Sequence, residues 1–174
     1  GLDHLRQMAE LARFPFLSAN LAYLARNLRC PHLPGGACIR PFAILLRNGL
    51  KAVPAAAGLQ HALGLALIRQ KETGPAIAAL QQAATLDPSS ARFAYVYAIA
   101  LNSTGNPVGA IRVVEQALQR HPYNRDLLTA RVLFQRDSGN LAAARRAAEH
   151  LARVFPGDPG VNRLLSELGA TGSR

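Results

Sequence analysis

Residues 91–124 read ARFAYVYAIALNSTGNPVGAIRVVEQALQRHPYN, and the fold turns on this stretch being one of three in register. Pro88, Pro122 and Pro156 stand 34 residues apart; Ala76, Ala110 and Ala144 keep that spacing, Ala83 and Ala117 join them, and Gly105 and Gly139 repeat in phase. Four columns in one register do not arise easily from an alanine-rich composition, and a fixed period of this length is the mark of a repeat architecture. The units are Ala57–Ser90, Ala91–Asn124 and Arg125–Asp158.

Each unit reads as two helices. Ala94, Tyr97, Ala98 and Leu101 in the second unit, and Leu127, Leu128, Val132 and Phe134 in the third, put apolar residues three and four apart, the spacing of one helix face. Turns follow at 71–74, 104–106 and 138–140, where Gly105 and Gly139 suit the left-handed residue that ends a helix. Asn106-Pro107 supplies an N-cap and a proline for the first helical position. The second helix ends at the proline column, because proline cannot continue a helix and restrains the residue before it. Gly160–Leu168, with Val161, Leu164, Leu165 and Leu168 at helical spacing, reads as a terminal capping helix, and residues 169–174 as a tail.

Composition agrees with tight helix packing. Of 174 residues 32 are Ala, Trp is absent, aromatics make up 6% and apolar residues 49%, which argues against an aromatic-rich sandwich and against global disorder. The net charge of +10 is spread along the chain: residues 1–56 contribute +5, 57–158 contribute +4 and 159–174 add +1. No basic run exceeds Arg145-Arg146 and few aromatics accompany the arginines, so specific nucleic-acid binding is not expected. No leader peptide is visible, and the most apolar window, 52–68, is interrupted by Pro54, Gln60 and His61 and is shorter than the ~20 residues of a spanning helix. The expectation is a soluble protein, periplasmic or cytoplasmic.

These units resemble the tetratricopeptide repeat family. Its pattern places Leu-Gly in the first helix, Gly in the turn, Ala at two positions of the second helix and Pro near the end; Leu63-Gly64, Gly105, Gly139, Ala76, Ala110, Ala144, Ala83, Ala117, Pro88, Pro122 and Pro156 occupy those places. Departures are the missing early aromatic, Lys71 in place of the first turn glycine, and Arg131 at a core-facing position of the third unit. The resemblance implies a mainly α fold, a right-handed α-solenoid of three helix-turn-helix repeats with a cap over 57–168. It implies a concave face lined by the first helices that takes a peptide or partner helix. Carried over residue by residue, that groove comprises His61, Leu65, Arg69, Arg92, Tyr95, Ile99, Asn102, Asp126, Thr129, Leu133 and Arg136.

Residues 1–56 follow a different rule and read as a small α/β segment. Leu2, Leu5, Met8, Ala9 and Ala12 describe an amphipathic helix, residues 14–20 a short buried strand, and residues 31–36 a loop. Residues 43–47, the turn dipeptide Asn48-Gly49 and residues 50–53 carry a hairpin signal. The order resembles the 5′-nucleotidase branch of the calcineurin-like metallophosphoesterases in the helix opening Gly1-Leu2-Asp3, the strand Phe14–Asn20, the segment Pro41–Leu45 and the turn Asn48–Lys51. The metal-ligand motifs of that family, Asp-x-His, Asn-His-Glu and Gly-His-x-His, are absent, so the segment reads as a remnant without a metal to activate water. The competing function is accordingly a fragment of such an enzyme carrying a repeat domain.

Other chemistry finds little support. Cys30, His32 and Cys38 lack a fourth ligand and match no common zinc spacing, so no metal or other cofactor is expected. Tyr95-Val96-Tyr97-Ala98 and residues 121–128 resemble repeat tails of some bacterial multihaem cytochromes, yet no Cys-x-x-Cys-His occurs. There is no phosphate-binding glycine loop and no Gly-x-Ser-x-Gly, and His4, His61, His121 and His150 have no acid or nucleophile at motif spacing. The sequence therefore points to a non-catalytic protein-interaction module.

Overall fold

The computed structural model describes residues 39–171. These contain eight α-helices and no strand: α1 (Ile39–Ala52), α2 (Ala57–Arg69), α3 (Thr73–Leu86), α4 (Ala91–Ser103), α5 (Pro107–Leu118), α6 (Arg125–Asp137), α7 (Leu141–Val154) and α8 (Pro159–Thr171). They fall into two compact units, α1–α3 and α4–α8, divided after Asp87. The helix, strand and loop expected over 2–36, with Cys30, His32 and Cys38, lie outside the described residues.

The hairpin expected over 43–53 is instead α1. Asn48-Gly49 is a strong local turn signal, but Phe42, Ala43, Leu46 and Leu50 recur at helical spacing and pack on α2, with Ala43 and Leu46 each 1% exposed. Burial of that stripe outweighs the roughly 1 kcal/mol that a mid-helix glycine costs. The helix ends at Ala52, two residues before Pro54.

In the first unit α2 packs on both α1 and α3. The approach to α3 depends on Gly64: a Cβ there would lie 2.5 Å from Leu80 Cγ and 3.2 Å from the Ala76 carbonyl oxygen, and both Leu80 and Ala76 are fully buried. One period on, the same two positions are Ala98 and Val114, and after another, Val132 and Ala148, all buried. The first-helix side chain grows from Gly through Ala to Val while its second-helix counterpart shrinks from Leu through Val to Ala. The fully buried Ala76, Ala110 and Ala144 stay constant beside them. The helix-pair interface thus keeps nearly constant volume, as close packing requires.

Caps and turns fix where each helix starts and stops. Asn106, Asn124 and Asn140 accept hydrogen bonds through Oδ1 from the backbone N–H of Gly109, Leu127 and Ala143 at 2.9, 3.0 and 3.0 Å, satisfying donors at the starts of α5, α6 and α7. Pro107 occupies the first turn of α5, as the sequence indicated. Gly105 and Gly139 adopt φ of 81° and 80°, and the following Asn106 and Asn140 N–H groups each return 3.0 Å bonds to Leu101 and Gln135 carbonyls. Lys71 holds the same conformation at φ 62°, with the Glu72 N–H bonded to Leu67 O at 2.9 Å. The turn survives without its glycine and carries the strain of a side chain in the left-handed region.

At the end of the second unit α8 packs on α7 and buries Val161 and Leu168, while Asn162, Arg163, Ser166 and Glu167 face solvent. This is the expected capping helix. Asp158 accepts from the N–H groups of Gly160 and Val161 at 2.8 and 3.2 Å and from Arg125 Nη2 at 2.7 Å, which ties the start of α6 to the start of α8. The Arg125 hydrogen bond and these amides hold the Asp158 carboxyl below its usual range.

Candidate functional site

The second unit brings α4 and α6 together and fixes their register. Asn102 Nδ2 donates to Asp137 Oδ2 at 2.7 Å, and Arg136 Nη2 donates to the other oxygen of the same carboxylate at 3.2 Å. On α4 Arg92 is exposed, Tyr95 and Asn102 are half-buried and Ile99 is 38% exposed; on α6 Asp126 and Arg136 are exposed and Thr129 and Leu133 half-buried. All eight sites named on these two helices thus remain open at least in part. An exposed Ile99 beside half-buried Tyr95 is apolar area not consumed by the fold.

In the first unit Leu65 is half-buried and Arg69 exposed. His61 departs from the expectation, being only 1% exposed and therefore not available to a ligand. The reason lies in α2, which buries Leu59, His61, Ala62, Leu63, Gly64, Ala66 and Leu67; a helix apolar nearly all round is enclosed.

Beside Leu133 and Arg136 lies a cleft of about 210 Å³ formed by α6, α7 and α8. Val132, Leu133, Leu141, Leu164 and Leu168 give it an apolar lining, to which Arg136 and Glu167 add opposite charges. It falls short of the ~300–1,000 Å³ usual for small-molecule sites. Nothing in the sequence pattern marks this cleft, since Leu164 and Leu168 read only as cap residues. Among the described residues no group of three or more His, Cys, Asp or Glu side chains is placed to hold a metal ion, and no helix is long and apolar enough to cross a membrane.

Arg131 sits half-buried in the core-facing place that the sequence marked as irregular. Its Nη2 lies 2.9 Å from His150 Nδ1 on α7, and its Nε is buried without a hydrogen-bond partner. Burial pushes its pKa down, opposed by the charge of Glu115 on α5. His150 is likewise shifted down, first by burial and then by Arg131 and Arg153.

Two family models described as tetratricopeptide repeat match the chain, one over residues 61–125 and the other over 101–168. Over these residues the chain belongs to the tetratricopeptide repeat family. No curated protein matches it. Among solved structures, PilF of Pseudomonas aeruginosa is 20% identical with a TM-score of 0.71, over 94% of this chain and 70% of that one. The first repeat domain of Spaghetti (RPAP3), bound to the HSP90 peptide SRMEEVD, is 14% identical with a TM-score of 0.60, over 68% and 94% of the two chains. The Yersinia enterocolitica type III secretion chaperone SycD, in complex with a peptide of the translocator YopD, is 14% identical with a TM-score of 0.57, over 65% and 92%. At these identities the likeness to tetratricopeptide repeat structures is one of fold. The metallophosphoesterase resemblance of residues 1–53 gains no support, because the stretch it takes as a strand and turn, Pro41 to Lys51, lies within α1.

The sequence also held an unread sign of the same family. Pro54 precedes Pro88 by the 34-residue period, and α1 begins at Ile39, one period before Thr73 of α3, which itself precedes Pro107 and Leu141, the first residues of α5 and α7. Leu46, 1% exposed, falls in the column of Leu80, Val114 and Ala148. The α1 helix is in phase with the second helices of the repeats.

Proposed function

We propose that residues 57–168 are a non-catalytic protein-interaction module that holds an extended peptide or a partner helix against the first helices of its repeats. The observation that carries this reading is the open face of α4 and α6, where Tyr95, Ile99, Thr129 and Leu133 remain accessible on two packed helices bridged by the Asn102–Asp137 bond. Partly apolar side chains held in fixed register on rigid helices suit recognition of a linear segment, because little ordering entropy remains to be lost on binding. The same fold holds peptides in the Spaghetti and SycD structures.

In this reading Tyr95 and Leu133 are the anchors, Ile99 and Thr129 widen the contact, Arg92 and Arg136 orient an acidic segment, and Asn102 and Asp126 contribute polar contacts. Leu65 and Arg69 serve the first repeat. The cleft beside Leu133 is sized for one large side chain of the ligand. Selection of binders from a random peptide library, followed by titration of the chosen peptide against Tyr95→Ala and Leu133→Ala proteins, tests the proposal. A loss of roughly 1–3 kcal/mol per anchor supports it, and binding untouched by both substitutions overturns it.

A further inference from the structure

In two columns of the repeat the third copy departs from the others together. Leu63 and Tyr97 are followed one period later by Arg131, and Gln82 and Gln116 by His150. The two departures meet in space, with Arg131 Nη2 2.9 Å from His150 Nδ1 between α6 and α7. An arginine side chain only donates hydrogen bonds, so this contact requires Nδ1 to be an acceptor and the neutral ring to carry its proton on Nε2. A second proton turns Nδ1 into a donor facing a donor. It also places two positive charges in contact at a half-buried site.

We propose that residues 125–158 form an acid-sensitive repeat, in which protonation of His150 sets two cations against each other across the α6–α7 interface and loosens the helix pair that carries Leu133 and Arg136. The surroundings offer little relief. Arg153 on the same helix adds to the positive field, and Glu115 on α5 bears on Arg131. Of the other charges of α6, Arg125 pairs with Asp158 and Arg136 with Asp137, and Asp126 lies in the exposed first turn. On α7 Arg145 pairs with Glu149 beside Arg146, and α8, packed on α7, carries Arg163 and Glu167.

The direction of the effect follows from linkage. The folded protein resists protonating His150 and the unfolded chain does not, so this stability is complete above the unfolded value near 6.5 and is lost as pH falls below it through the lowered folded value. One such group changes the folding constant by at most about tenfold per pH unit.

Melting of the full chain at a series of pH values, with long-range proton–nitrogen NMR of His150, tests the proposal. The comparison proteins are His150→Gln, which restores the residue of the other two repeats and keeps an acceptor for Arg131, and Arg131→Leu, which restores the residue of the first. Below pH 6.5 the unmodified protein loses more stability than His150→Gln, and Arg131→Leu raises the His150 midpoint. Equal pH dependence in the unmodified and His150→Gln proteins, a folded-state midpoint at or above 6.5, or a midpoint unmoved by Arg131→Leu overturns it.

Discussion

Exchanging the residues at one helix crossing tests whether paired volumes set the approach of α2 to α3. A methyl added at Gly64 would lie 2.5 Å from Leu80 Cγ and 2.7 Å from its Cδ2, against ~3.5–4.0 Å for carbons in contact. The Leu80 side chain is fully buried, and the Ala76 carbonyl oxygen also lies close, at 3.2 Å. Gly64→Ala gains about 1 kcal/mol of helix propensity and incurs overpacking near the upper end of the roughly 1–3 kcal/mol range, a net loss of about 2 kcal/mol. Leu80→Val alone removes one buried methylene and costs about 1 kcal/mol. The double substitution reproduces the pair that the next repeat uses, Ala98 with Val114. If the two sites share one volume, it lands within about 1 kcal/mol of the starting protein and not at the additive sum near 3, a coupling of about 2 kcal/mol. Thermal melts read this as a fall of about 4–8 °C for Gly64→Ala that the second change largely reverses. An additive double mutant, or a Gly64→Ala protein at least as stable as the original, refutes the packing argument.

Lys71→Gly should raise stability by about 1 kcal/mol by removing a side chain from the left-handed region, seen as a higher urea midpoint; a fall would show that Lys71 supports the turn through its side chain. Asn124→Ala should cost about 1 kcal/mol through the lost cap on α6, and Asn124→Gly only a few tenths, both measured by denaturant melts. With a selected peptide, Arg92→Ala should slow association more than it speeds dissociation and should matter less at high salt, whereas Tyr95→Ala should act on dissociation at any salt, both resolved by surface-binding kinetics.

The period made much of the fold legible. Proline, alanine and glycine columns act through the backbone and through close approach, so they bound the helices wherever they recur, and Gly105, Gly139 and Asn106-Pro107 adopt the conformations their residue types require. The hairpin expected over 43–53 gives way to α1 because Asn48-Gly49 is a strong signal over only two residues, while the helix rests on tertiary burial of Ala43 and Leu46 against α2. Pro54, one period before Pro88, was the long-range sign that outweighs the local one. At the candidate site, position in the repeat identified open residues on α4 and α6 and failed at His61, since family register cannot say how fully a helix is enclosed. The Arg131–His150 contact joins residues 19 apart on two helices, and only one of them had stood out as irregular in the sequence.

The crossing residues also bear on how such repeats can be engineered. Choosing the best residue at each repeat position separately treats the columns Gly64, Ala98, Val132 and Leu80, Val114, Ala148 as independent. Such a choice can set Val against Leu, a combination larger than any of the three natural pairs, or Gly against Ala, which leaves a void. What is inherited here is the pairing, and a repeat grafted or idealised for use elsewhere should move with both of its helices together.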